Sequence, residues 1–169
     1  MSLDKLKILE SLIKTVDGRT IMQNCDFCMW LDELASPFEI THKLEKMLHL
    51  EGLTTAPFQP NGMLIRYKQQ TVHLHNIEES IDLDQFLYFL NELLHPAYEI
   101  RFWNGSLGMN TLAFIPLERE LWDALEENMG ICPVNGEFSR LNRGAHLFQL
   151  DELTSIQLLD NYTKFKGNL

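Results

Sequence analysis

The sequence predicts an α+β fold, and three observations carry that prediction. Apolar residues recur at three- and four-residue spacing through the first third, they alternate with polar residues from position 63, and the order strand, strand, helix then recurs. With 169 residues, 45% hydrophobic and 10% aromatic, the chain can fill one ordinary core. Residues 1–169 are therefore expected as a single domain, helical over 1–52, a linker over 53–62, and sheet with helices over 63–169.

In "DKLKILESLIKTV", Leu6, Leu9, Ile13 and Val16 share one face of a first helix that Gly18 ends. "CDFCMWLDELA" reads as a second, short helix with Phe27, Leu31 and Leu34 on its apolar side. A third begins at "SPFE": Ser36 is placed to cap, Pro37 to take the first helical position, and Glu39 to complete a capping box. Its inward face is Ile40, Leu44, Met47 and Leu48, and Gly52 stops it. "TTAPFQPNG", with two prolines, reads as the linker.

Period-two alternation in "MLIRYKQQTVHLHNI" predicts a hairpin turning near Lys68 to Gln70. Val72 and Leu74 then face the core, and His73 and His75 lie opposite. The next helix has Asp82 as cap, Gln85 completing a capping box and Ile81 stapling onto Phe86. Leu83, Phe86, Leu87, Leu90 and Leu94 point inward, and Pro96 ends it. "AYEIRFW" and "TLAFIPL" are strands around the loop 104–110, followed by a helix that turns Leu121, Trp122, Leu125 and Met129 inward. A third pass reads "EFSRL" and "AHLFQL" as strands before a helix from about Asp151 to Tyr162. These ββα passes share no convincing residue identity. They predict an antiparallel sheet of about four to six strands with helices packed on one face, preceded by the helical N-terminal region.

The net charge of −10 is unevenly spread. Residues 1–77 hold eight bases and nine acids, and 128–169 hold four of each, whereas 78–127 hold eleven acids against Arg101 and Arg119. Such a field repels phosphate backbones and favours encounters with basic proteins, so direct nucleic-acid binding is not expected. No apolar run is long enough to span a bilayer and no signal-peptide pattern opens the chain, so no membrane association is expected. An odd count of three cysteines fits a reducing, cytoplasmic setting.

"NCDFCMW" carries the nearest approach to a catalytic signature. A redox pair at Cys25 and Cys28 would need a strand feeding it within a β-α alternation, and Asp26 beside them opposes thiolate formation. His73 and His75 would complete a Cys2His2 zinc set only if the short helix crossed the first hairpin. The economical alternative is that both thiols are small packing groups. "NGSLG" misplaces its serine by one for a nucleophile elbow, and no phosphate loop or dinucleotide fingerprint occurs.

The function expected is a non-enzymatic protein-binding module with an acidic face and no cofactor. In its most concrete form it is a small bacterial-type inhibitor or immunity protein that neutralises a basic toxin or nuclease. Asp82, Asp84, Glu99, Trp103, Glu118, Glu120 and Asp123 are the expected partner-binding residues. The alternatives are the thiol- or zinc-dependent module on Cys25, Cys28, His73 and His75, and an accessory domain that assembles with itself or a larger complex through the helical first third.

Overall fold

The computed structural model describes residues 2–58, 62–75, 82–144 and 146–168. It is α+β, with seven described strands in two antiparallel sheets. Helix α1 (Ser2–Lys14) buries Leu9, Leu12 and Ile13. It stops at Lys14, so Val16 lies beyond it and is 77% exposed instead of inward.

The second helix expected over residues 25–35 does not form. Helix α2 (Arg19–Gln23) precedes the cysteines, and strand β1 (Met29–Leu31) follows them. The short run "MWL" suits either period, and pairing decides it: Met29 lies opposite Phe114 and Leu31 opposite Leu112. Helix α3 (Pro37–Leu48) starts where Ser36 and Pro37 place it, although the serine side chain makes no capping hydrogen bond. It ends at Leu48, before Gly52, because His49 takes a left-handed conformation with φ 51°.

The predicted linker contains strand β2 (Thr54–Phe58). Pro57 is accommodated because β2 is an edge strand, where a missing N–H can face outward. Strands β3 (Gly62–Tyr67) and β4 (Gln70–Leu74) form the predicted hairpin, giving a three-stranded sheet ordered β2-β3-β4. Helix α4 (Leu83–Leu94) is capped as expected, Asp82 Oδ1 accepting from Gln85 N at 3.1 Å. The expected staple by Ile81 lies outside the described residues.

Strands β5 (Tyr98–Trp103) and β6 (Leu112–Glu118) pair from Tyr98–Glu118 to Phe102–Phe114. Helices α5 (Arg119–Met129) and α6 (Ile131–Glu137) lead into β7 (Phe138–Arg140), which pairs with β5. The four-stranded order is β1-β6-β5-β7. The strand expected in "AHLFQL" is instead a 3-10 turn over Leu147–Gln149, followed by helix α7 (Glu152–Gly167).

Helices cover both faces of the four-stranded sheet where one was expected. Ile100, Phe102, Leu112 and Phe114 pack into a core shared with α3, α4 and the three-stranded sheet. Trp103, Ala113, Ile115 and Leu117 pack into a second core with α1 and α5. The nearly continuous apolar run of β6 is the pattern of a strand buried on both sides.

A buried ionic staple ties α7 to this second core. Glu137 Oε2 receives Lys166 Nζ at 2.9 Å, and Glu137 Oε1 receives Trp103 Nε1 at 2.8 Å and Tyr162 OH at 2.9 Å. Lys166 Nζ also donates to the carbonyls of Leu12 and Ile13, at the C-terminal end of α1, where a cation is favoured.

Candidate functional site

The acids expected on one face are divided between opposite ends of the four-stranded sheet. Only residues 95–97 join α4 to β5, so the helix runs back along the strand and its C-terminal end lies beside Tyr98. Twelve residues rise roughly 18 Å, which carries Asp82 and Asp84 to the far end. Glu118, Glu120 and Asp123 open α5 beside Tyr98 instead.

At the α5 end most of the charge is matched internally. The buried Glu99 lies 3.1 Å from Arg101 Nη2, 3.1 Å from Arg119 Nη1 and 3.5 Å from Arg140 Nε. Glu126 is 2.7 Å from both Arg101 and Arg140, and Arg119 Nε donates to Asp123 at 2.8 Å. Burial pushes the Glu126 carboxyl up, yet hydrogen bonds from Arg140 and Arg101 outweigh it and hold it below the usual carboxylate value. Arg101 is fully buried, with its guanidinium 4.4 Å from the centre of the Trp122 ring. Three arginines thus face Glu99, Asp123 and Glu126, leaving Glu118 and Glu120 exposed nearby.

Two expected partner contacts are therefore corrected. Glu99 is enclosed by arginines, and Trp103 is 1% exposed, its indole N–H committed to Glu137. Neither can reach a partner at the surface, because both belong to the α1–α5 side of the buried strand β5.

At the opposite end two depressions of about 440 and 380 Å³ share Glu33, Leu34 and Phe148. One is walled by Asp32, by Leu112 and by Leu107 to Asn110 of the expected surface loop. The other is walled by Asp82, Leu83 and Asp84. Asp32 Oδ1 accepts from Leu34 N at 2.9 Å and fixes the turn that leaves the Leu34 side chain 85% exposed. Asp84 is buried and accepts from Phe148 N at 3.2 Å, while the Phe148 ring stacks on Phe114 with centroids 5.7 Å apart. Burial pushes the Asp84 carboxyl above its ordinary value, against the backbone hydrogen bonds it accepts.

Among the described residues no Lys, Arg or His lines either depression, although His146 lies close enough to act on Asp84. Among the described residues no ion pair involves Asp32, Glu33, Asp82 or Asp84. Asp32, Glu33, Leu34 and Phe148 were not expected at a site. "LDEL" reads as helix and "HLFQ" as strand, and only the tertiary fold brings both to the start of α4.

The cysteine and histidine pairs do not meet. Cys25 and Cys28 pack against the α1–α5 core, and Cys25 Sγ donates to Ile21 O at 3.2 Å. Burial, with Asp26 adding to it, pushes the Cys25 thiol up to about 11. Burial, with Cys25 adding to it, pushes Cys28 to about 12. His73 and His75 are exposed on the outer face of β4, stacked with centroids 6.0 Å apart, with Phe58 edge-on to both. Among the described residues no group of three or more His, Cys, Asp or Glu side chains could hold a metal ion. No helix there is long and apolar enough to cross a membrane. No family model, curated protein or solved structure matches the chain.

Proposed function

We propose that the protein is a binding module that neutralises a basic protein, in its most concrete form a small bacterial-type inhibitor or immunity protein acting on a basic toxin or nuclease. The observation that carries this reading is the contrast between the two acidic ends. Carboxylates around α5 are largely matched by Arg101, Arg119 and Arg140, whereas among the described residues those around the paired depressions make no ion pair, and only His146, which faces Asp84, brings a basic group near them. Unmatched carboxylates beside apolar surface can replace the phosphates that a nuclease holds with Lys and Arg, and they accelerate encounter with such a partner.

Co-purification followed by mass spectrometry tests the reading, with the wild-type chain and Glu33→Lys compared at low and high salt. The expected result is a basic protein whose recovery falls with salt and with the charge reversal, and whose activity the purified wild-type chain inhibits. Recovery of no basic protein, or recovery indifferent to both changes, refutes it.

A further inference from the structure

We infer that the paired depressions receive an extended segment of the partner in which basic side chains flank an apolar one. The inference rests on the proposed basic partner and concerns the form that partner presents. Charge complementarity gives the flanking residues: Asp32 and Glu33 border the first depression and Glu33 and Asp82 the second, with no Lys or Arg among the described residues of either lining. The apolar residue follows from what lies between them. Leu107, Leu112 and Phe148 line the space, and the side chain of Leu34 stands 85% exposed at the junction of the two depressions.

A wholly acidic surface would bind any polycation, but an apolar lining within an acidic rim selects for alternation. Each depression is of side-chain to small-ligand size, which suits an arm or loop laid across both better than a flat folded face. The receiving surface is also fixed in advance. Asp32 sets the Leu34 turn, Asp84 holds Phe148, and Phe148 rests on Phe114 of the central sheet, so little ordering entropy is lost on binding.

The test uses the full chain and three fluorescein-labelled peptides of equal length: alternating Lys-Leu, the same with Ser for Leu, and alternating Glu-Leu. Fluorescence anisotropy is read against wild type, Glu33→Lys, Leu34→Ser and the double variant Glu118→Lys/Glu120→Lys. All four positions are exposed, so each variant is expected to keep the wild-type circular dichroism spectrum. The Lys-Leu peptide is expected to bind, and the Lys-Ser and Glu-Leu peptides at least about tenfold more weakly. Glu33→Lys and Leu34→Ser should each weaken Lys-Leu binding by about tenfold, and the α5-end double variant by no more than about twofold.

Equal binding of Lys-Leu and Lys-Ser overturns the apolar anchor. Equal loss in the α5-end variant, or no Lys-Leu binding, overturns the groove. A basic protein that co-purifies while the peptide fails to bind leaves the proposed function standing without this inference. Peptide binding that depends on Glu33 and Leu34, with no protein partner recovered, does the reverse.

Discussion

Replacing Lys166 by methionine should cost far more than the loss of one contact. Its ammonium and the Glu137 carboxylate are 3% and 0% exposed, and the two are 2.9 Å apart. Methionine has nearly the same length but leaves Glu137 charged, buried and held only by the neutral donors of Trp103 and Tyr162. Removing one partner of such a pair costs about 3–5 kcal/mol. The carbonyls of Leu12 and Ile13 also lose their donor. For a chain of this size the cost corresponds to a fall in Tm of roughly 6–20 °C. A companion variant, Glu137→Gln/Lys166→Met, removes both charges while the glutamine carbonyl can still accept from Trp103 and Tyr162. It should recover part of the loss. Guanidinium unfolding at neutral pH, followed by tryptophan fluorescence across the full double-mutant cycle, measures both effects. A cost below about 1 kcal/mol for the single lysine variant, or a coupling energy near zero, refutes the staple as drawn.

The remaining predictions concern thiols, pH and close packing. At pH 8 a thiol reagent should modify the exposed Cys132 quickly and Cys25 and Cys28 slowly, with all three equal in denaturant; rapid native reaction of three thiols would contradict the burial. Both half-buried thiols hold their protons in the fold after the unfolded chain has begun to ionise near 9, so they should withdraw stability as pH rises from about 9 to about 12. Cys25→Ser/Cys28→Ser should therefore have a shallower alkaline decline. Asp84 behaves likewise at the acid end. Burial, reinforced by Asp82 and opposed by the Phe148 and Leu147 amides and by His146, raises its folded value, so its contribution is greatest below about 4 and is lost as pH climbs through that value. Asp84→Asn should thus match or exceed wild-type stability at pH 7, and a deficit above about 1 kcal/mol in urea unfolding would show that the carboxylate is needed ionised. Gly105→Ala places a methyl group directly on the buried Trp103 ring and beside the Tyr162 hydroxyl, and should cost about 1–3 kcal/mol in the same assay.

What could be read from the chain follows the range of the interactions involved. The Asp82 cap joins residues three apart, and the β3–β4 hairpin turns within two, so local chemistry writes both plainly. Strand β1 could not be recognised that way, because "MWL" becomes a strand only by pairing with β6, far along the chain. Pro57 argued for a linker until β2 proved to be an edge. The acidic window was legible as composition, but its division was not, since that depends on α4 folding back along β5. Glu99 and Arg101 stand two apart on one face of a strand, which the sequence does show; that Arg140 and Glu126 close over them, it does not.

Strand β5 has a further property. Ile100 and Phe102 point into one core, and Glu99, Arg101 and Trp103 into the other. With both faces of the sheet buried, an all-apolar β5 would fit either way up, and hydrophobicity alone could not choose its alignment. Sliding the strand by one residue against β6 would drive a carboxylate and a guanidinium among Phe114, Leu90 and Leu94, at a cost of several kcal/mol for each unpaired charge. The ion cluster therefore acts as a key for strand register, independent of how much it stabilises the native state. Glu99→Leu/Arg101→Leu should test this directly: a near-native melting temperature with amide resonances of β5 broadened or doubled by slipped pairings, whereas a single sharp set would show that the alignment is fixed elsewhere.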